Sequence, residues 1–444
     1  DVVIVGAGPA GIFAALELAK TDSLKIIIID KGSDIEKRIR DVPRSLLCGW
    51  GGAGAFSDGK LTLSTEVGGQ LAAYISDEEL QRLIQYVDQI YIEFGAPQTV
   101  YGTNEDEVNR LSREAVLADL KLIPSAIRHV GTDLWPDLLR RMRQALEQHV
   151  DILMETAVSR ILTREGRAYG IETNAGEIIE AKYVILAPGR EGADWLLEEA
   201  RRLDLEQVIN PVDIGVRVEV PAPVLEPLTK VIYEPKLIFY SPSFDDKVRT
   251  FCVCPYGEVV MEYDDAVTTV NGHSYAKKKT NNTNFALLVS TMFTEPFREP
   301  ITYGRYIASL SNLLSGSVIV QRLGDLKDGR RSTWSRIEHG LVTPTLKTAV
   351  PGDLSFVLPY RYLTGIKEML EAMDKLAPGV ASRHTLLYGV EVKFYSSRLR
   401  LTPSLETDIA NLFTIGDGAG VTRGLVQASA SGVIAAREIL KRIA

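Results

Sequence analysis

Residues 1–30 read DVVIVGAGPAGIFAALELAKTDSLKIIIID, and this stretch decides the fold. Val2 to Val5 is an apolar run that stops at a glycine, as a buried parallel strand does. Gly6, Gly8 and Gly11 follow at GxGxxG spacing, with Pro9 and Ala10 inside the turn. Ile12 to Lys20 then carries helix-favouring residues with apolar positions at helical spacing. A second apolar strand, Lys25 to Ile29, ends in Asp30. Gly6 permits a tight strand-to-helix turn, Gly8 lets a pyrophosphate approach the backbone, and Gly11 lets the helix lie close on the strand. The helix N-terminus offers unpaired N–H groups and partial positive charge to phosphates. Asp30 is placed to accept from a ribose 2′-OH. An acid there, with no Arg, argues against a 2′-phosphate, so the expected nucleotide is FAD or NAD rather than NADP.

With 444 residues the chain has room for about two or three domains. Its 45% apolar and 24% charged content is that of an ordinary globular protein. A net charge of −8 disfavours nucleic acid or an anionic membrane as the main partner. The sequence has no apolar run long enough to span a bilayer and no visible signal peptide, although it begins without Met. Three cysteines do not make a disulfide framework, so the expected compartment is the reducing cytoplasm.

The glycine-rich stretch CGWGGAGAFSDGKLTLS, Cys48 to Ser64, is expected to be neither helix nor central strand. Gly51, Gly52, Gly54 and Ala55 would let backbone N–H groups pack against a planar ring or a phosphate. The plainer alternative is a surface loop, which Trp50 and Phe56 argue against. Helices are expected over Asp77 to Phe94, Glu105 to Leu120 and Trp135 to His149. Asp151 to Gly189 reads as a three-stranded meander and then a buried strand, YVILAPG. From Asn210 the chain is mostly strand-like, with helices near Tyr303 to Leu314 and Tyr362 to Leu376. Gly324 to Arg331 is expected to be a polar loop. Leu412 to Ile415 is an apolar strand entering Gly416-Asp417-Gly418-Ala419-Gly420, and a small-residue helix follows from Leu425 to Ile443.

Three separated segments (GAGPAG with Asp30, the meander ending ILAPG, and LFTIGDGAG before the last helix) together resemble the FAD-binding domain of the glutathione-reductase-like flavoproteins. CGWGGAGAFSDGKL with FCVCPYGEVV and NGHSYA resembles a narrower group, the bacterial and archaeal FAD-dependent dehydrogenases of unassigned substrate. The resemblance implies that Gly6, Gly8 and Gly11 hold the FAD pyrophosphate and Asp30 the adenosine ribose. Lys31 and Arg38 would lie near the adenosine and phosphates, and Val158 would meet adenine through its backbone. Ala187, Pro188 and Gly189 would pass close to the cofactor, and Gly416 and Asp417 would reach the ribityl hydroxyls. Gly424, Leu425 and Val426 would start a helix whose N-terminus faces the flavin pyrimidine edge, where it stabilises negative charge.

Three departures from that superfamily narrow the activity. There is no second GxGxxG after a strand, so NAD(P)H would bind without its own Rossmann unit, or the electrons come from another donor such as a protein. There is no CxxxxC near the first helix, as a disulfide reductase would require. APG stands where aromatic hydroxylases have a DG motif, and KDGRRS at Lys327 to Ser332 imitates that motif out of place.

For chemistry, Cys252 and Cys254 flank one residue of an expected strand, which puts both on one face. They are either a redox pair or nucleophile, or two small residues of a half-buried strand that an extended backbone holds apart. His273 is expected in a loop with Asn271, Ser274 and Tyr275, as a general acid, a substrate-orienting donor or a solvent-exposed histidine. Arg423 precedes the last helix, suited to a substrate carboxylate or to the surface. No metal site is expected.

The whole reads as an α/β protein with a Rossmann-like FAD-binding domain, parallel sheet plus meander, and an inserted, mainly antiparallel substrate domain. Residues 1–65, 125–205 and 385–444 are assigned to the first, 66–124 to a helical insertion and 206–384 to the second. The expected function is hydride transfer between flavin and a small organic substrate, with the active site between the domains. The alternatives are a flavin monooxygenase and a non-catalytic FAD-binding redox sensor.

Overall fold

The computed structural model describes residues 1–38, 47–57, 59–208, 212–264, 267–275, 277–291, 299–393 and 398–443. Arg40, part of the polar run after Asp30, lies outside them. The chain forms two compact units, one of residues 1–99, 128–210 and 395–444, the other of residues 100–127 and 211–394.

The first unit is built on a five-stranded sheet in the order Leu412–Thr414, Tyr183–Leu186, Val2–Val5, Ile26–Ile29, Val150–Leu153. Every pairing is parallel, with Val2 opposite both Tyr183 and Ile26. The central strands VVIV and YVIL are buried at every position, so they carry no polar alternation. Helix Pro9–Leu18 and helix Leu425–Ile443 lie against each other. They approach so closely that a Cβ on Gly432 would sit 2.1 Å from the Ala10 carbonyl oxygen. The meander is Val158–Arg164, Arg167–Thr173 and Ile178–Glu180.

Helix Asp77–Glu93 packs on the last helix, where the Tyr91 and Ser429 hydroxyls are 2.8 Å apart. Its start is set by Ser76, whose hydroxyl accepts from the Glu79 amide at 3.3 Å, and by acids at Asp77, Glu78 and Glu79. Phe13, Tyr91 and Trp135 stack in series at 4.9 and 5.5 Å between centroids. Residues 66–99 thus share the first unit's core, whereas helix Glu105–Leu117 belongs to the second. The single helical insertion expected over 66–124 is divided between the two units.

The second unit holds an eight-stranded sheet in the order Val350–Pro351, Ile319–Arg322, Leu386–Lys393, Val212–Pro221, Asn282–Thr291, Lys247–Cys254, Lys236–Tyr240, Lys121–Ile123. It is antiparallel except for its first pair. Leu386–Lys393, expected in the FAD-binding domain, is an inner strand here because it pairs on both sides. In Val212–Pro221, residues Val212, Ile214, Val216, Val218 and Val220 enter an apolar core with helix Tyr360–Leu376. Their neighbours Asp213, Arg217 and Glu219 point to the other face and are buried as well.

The glycine-rich stretch, expected to be neither helix nor central strand, forms a short 3-10 turn over Gly52–Phe56 and an edge strand over Lys60–Thr62. One local expectation changes. Gly324 to Arg331 begins with a helical turn, Leu323–Lys327, because buried Asp325 accepts from the Ser332 hydroxyl at 2.7 Å and Arg330 Nε at 2.9 Å. Among the described residues no helix is long and apolar enough to cross a membrane.

Glu17 joins three helices of the first unit. It accepts from Arg437 Nε at 2.7 Å and from the Tyr86 hydroxyl, and pairs with Lys20 Nζ at 2.9 Å. Burial alone would raise its pKa, but these donors outweigh burial and hold it below the ordinary value of 4.5. A depressed carboxylate contributes stability above its unfolded pKa and loses it as pH falls through the folded one. Glu17→Gln is therefore expected to cost about 1–2 kcal/mol at neutral pH and progressively less in acid. Thermal unfolding across pH checks this, and a wild-type-to-variant gap that stays constant into acid would contradict it.

Candidate functional site

The carboxyl ends of the parallel strands are where the first unit gathers its glycines. Gly6 takes φ +112°, and a Cβ there would lie 2.0 Å from the Ala187 carbonyl oxygen. A Cβ on Gly11 would lie 1.9 Å from the Gly6 carbonyl oxygen. Both glycines are required by the protein's own packing. Gly8 differs, because its φ of −79° and ψ of −178° suit any residue. A Cβ on Gly8 would meet only the Gly52 Cα, at 3.9 Å. Gly8 is also the N-cap of helix Pro9–Leu18, and no side chain caps that end.

Asp30 does more than terminate a strand. Its Oδ2 accepts from the Ala7 amide at 2.8 Å, and its Oδ1 accepts from the Gly32 and Gly49 amides, also at 2.8 Å. The carboxylate, 9% exposed, thereby ties together the first turn, the end of the second strand and the glycine-rich stretch. About four lone-pair sites on a carboxylate leave it capacity for a further donor.

The glycine-rich stretch lies directly on the first turn. The Gly51 amide donates to the Ala7 carbonyl at 2.8 Å, and a Cβ on Gly52 would be 3.0 Å from the Gly8 Cα. Gly54 fits between Pro9 and Leu425, with buried Ala55 beside it. Trp50 anchors the stretch through its indole N–H, which donates to the Leu139 carbonyl at 3.0 Å. Arg38 Nη1 donates to the Trp50 and Gly52 carbonyls at 2.6 and 2.8 Å. Burial draws Arg38 down to about 10 against the opposing pull of Asp30. In this structure Arg38 shapes the loop from behind. Lys31 is exposed and pairs with Glu191 at 2.8 Å.

Two further turns complete the group. The Ala187 amide donates to Val5 at 2.7 Å, Pro188 and Gly189 follow, and a Cβ on Gly418 would be 2.5 Å from the Gly189 carbonyl oxygen. Asp417 accepts from the Thr422 hydroxyl at 2.6 Å, and the Gly416 amide donates to the Ser431 hydroxyl at 3.0 Å. A Cβ on Gly424, just before the last helix, would be 3.2 Å from the Gly68 Cα, and Leu425 and Val426 open the helix itself. Val158 opens the meander opposite Thr173, two residues after the Thr156 amide bonds to the Asp30 carbonyl at 2.9 Å.

Sequence reasoning missed Gln427, whose amide donates to the Val67 carbonyl at 3.1 Å and whose oxygen accepts from the Leu71 amide at 3.4 Å. The Arg423 amide donates to the Gly68 carbonyl at 2.8 Å, so a Gly68-Gly69 segment seats the start of the last helix. That glycine pair was the available signal.

The other chemical candidates fall in the second unit. His273 ends strand Val267–His273 opposite Glu258 and is half-buried, so it is not the loop residue expected. Cys252 takes φ +45°, and the strand register slips between Phe251 and Cys254. This bulge brings the two sulfurs to 3.8 Å, where a regular strand would have held them apart. Beside them lies a charged group that sequence reasoning missed. Arg217, wholly buried, donates to Asn284 Oδ1 at 2.8 Å and the Cys252 carbonyl at 2.6 Å, and faces Glu391 at 3.5 Å. Burial would lower its pKa, but Glu391 and the cysteine sulfurs outweigh burial and raise it. Lys393 bridges Glu391 and Glu262, each at 3.2 Å. Lys236, Arg249 and Lys393 lie 5.1, 4.9 and 5.9 Å from the Phe251 ring centroid. Among the described residues no group of three His, Cys, Asp or Glu side chains is arranged to hold a metal ion.

Residues 1–277, more than half of the chain, match the FAD dependent oxidoreductase family model. The chain belongs to that family. Residues 211–394 match a second model, the FAD-dependent protein, C-terminal domain-like family. This FAD-dependent oxidoreductase is 29% identical over 475 residues to an uncharacterized protein of Clostridium beijerinckii, covering 99% of this chain and 80% of that one. It is 26% identical over 230 residues to protein FixC of Escherichia coli K12, covering 51% of this chain and 45% of FixC. The crystal structure of L-proline dehydrogenase from P. horikoshii superposes with a TM-score of 0.44 at 14% identity, covering 100% of this chain and 93% of that one.

The residues of the first unit fit FAD. Space stands open over Gly8, and an uncapped helix N-terminus follows it. FAD, when bound, supplies two-electron, hydride-level redox chemistry that no side chain provides. Because Asp30 holds the buried Ala7 and Gly49 amides and the half-buried Gly32 amide, Asp30→Ala is expected to lower the stability of the FAD-free protein by about 3 kcal/mol. Denaturant unfolding of the FAD-free variant checks this. Weaker FAD binding with unchanged FAD-free stability would show that Asp30 serves the ribose alone.

Proposed function

We propose that this oxidoreductase moves a hydride between flavin and a small, polar organic substrate, with the first unit holding FAD in an extended pose. In this reading Gly6, Gly8, Pro9, Ala10 and Gly11 face the pyrophosphate. Asp30 takes the adenosine ribose with its remaining lone pairs, and Val158 meets adenine. Gly51, Gly52, Gly54 and Ala55 line the cofactor together with Ala187, Pro188 and Gly189. Gly416 and Asp417 serve the ribityl chain, and Gly424, Leu425 and Val426 present a helix N-terminus to the flavin. Lys31 stays at the solvent edge, and Arg38 acts by shaping the glycine-rich stretch.

The observation that carries this reading is the geometry at Gly8. Neither its backbone nor its neighbours need a glycine. The remaining physical reason for one is a group that approaches from outside the protein.

The second unit's polar sheet face supports a polar substrate. Asp213, Arg217 and Glu219 line it from one strand, opposite Glu391 and Lys393 on the next. His273 and Arg423 are assigned to proton handling and substrate binding. Electrons would be exchanged with NAD(P)H or a protein partner. With no disulfide among the three cysteines, the reading includes a reducing, cytoplasmic setting.

Gly8→Ser tests the central point, because serine is a good N-cap with the same backbone preference. The variant is expected to match or exceed the wild type in FAD-free thermal stability. It is expected to bind FAD at least about tenfold more weakly, read from the flavin absorbance retained after gel filtration. Unchanged FAD affinity would refute the assignment of Gly8 to the pyrophosphate.

A further inference from the structure

The bulge at Cys252, in the second unit, gathers two cysteines and a buried guanidinium. A β-unbranched residue at φ +45° costs about 1 kcal/mol and persists only where its surroundings hold it. Arg217 holds this one, its Nη2 donating to the Cys252 carbonyl at 2.6 Å. The same Nη2 lies 3.1 Å from Cys254 Sγ, so a charged guanidinium faces the second sulfur. Cys254 is wholly buried, whereas Cys252 is half-buried. Burial and the Asp30 carboxylate push the Cys48 thiol up.

We propose that Cys252 and Cys254 are a reversible dithiol–disulfide pair that exchanges with small disulfides of the glutathione type. The Cys252 thiolate attacks one sulfur of the small disulfide, forms a mixed disulfide and releases one thiolate. The Cys254 thiolate, held by Arg217, then attacks the Cys252 sulfur and expels the second. Two electrons pass from the protein pair to the small disulfide, and the two thiol protons go to the two thiols released. A sulfur separation of 3.8 Å requires only a modest approach to close the bond. Closure removes the anionic acceptor that Arg217 Nη2 faces. It also locks the bulge beside Gly272, where a Cβ would be 1.8 Å from Arg217 Nη2, one residue before His273. The pair is thus placed to couple the thiol poise of the medium to the hairpin that carries His273.

The test uses the unmodified protein, equilibrated with mixtures of reduced and oxidised glutathione, alkylated and digested. The expected product in the oxidised mixtures is one peptide carrying Cys252 and Cys254, unalkylated and lacking two hydrogen atoms, restored to the dithiol by reduced glutathione. Cys254→Ser is expected to accumulate a glutathione adduct on Cys252, and Cys252→Ser to leave Cys254 unmodified. The proposal is overturned if both cysteines remain alkylatable throughout, if either pairs with Cys48, or if Cys254→Ser forms no adduct.

Discussion

A single buried carboxylate organises the first unit. Asp30 accepts the local Gly32 amide and two amides from further along the chain, Ala7 and Gly49, each of which would otherwise be a buried N–H without a partner. The turn at Ala7 and the glycine-rich stretch at Gly49 are thereby fixed to the same strand end. Once they are fixed, Gly51 reaches Ala7 and Gly52 comes to rest on Gly8. The cofactor cradle follows from that constraint.

The glycines divide by cause. Gly6, Gly11 and Gly432 are required by close approach within the protein, since a side chain at any of them would collide with backbone. Gly8 meets no such obstacle. A family pattern treats these glycines alike, but the coordinates separate those that build the fold from the one that leaves room for a ligand. Function resides in the second kind.

Much of this was legible in the sequence. Fully buried parallel strands read as unbroken apolar runs, and the helix from Leu425 to Ile443 has the bounds that its pattern implied. What was not legible depends on contacts between distant residues. No local pattern tells that Leu386–Lys393 pairs on both sides or that Asp77–Glu93 packs on the last helix. Nor does strand alternation foresee the bulge at Cys252, because the guanidinium holding it comes from Arg217 on another strand. The position of Asp30 in the sequence points to a ligand, while its Ala7 and Gly49 donors depend on tertiary placement.

Hydrogen–deuterium exchange of the FAD-free and FAD-loaded chain tests the central claim most directly. The account predicts that FAD slows exchange in four separated segments of the first unit: residues 6–12, 49–57, 187–190 and 416–428. Slowing confined to other segments, with the residue 6–12 turn unchanged, would contradict it.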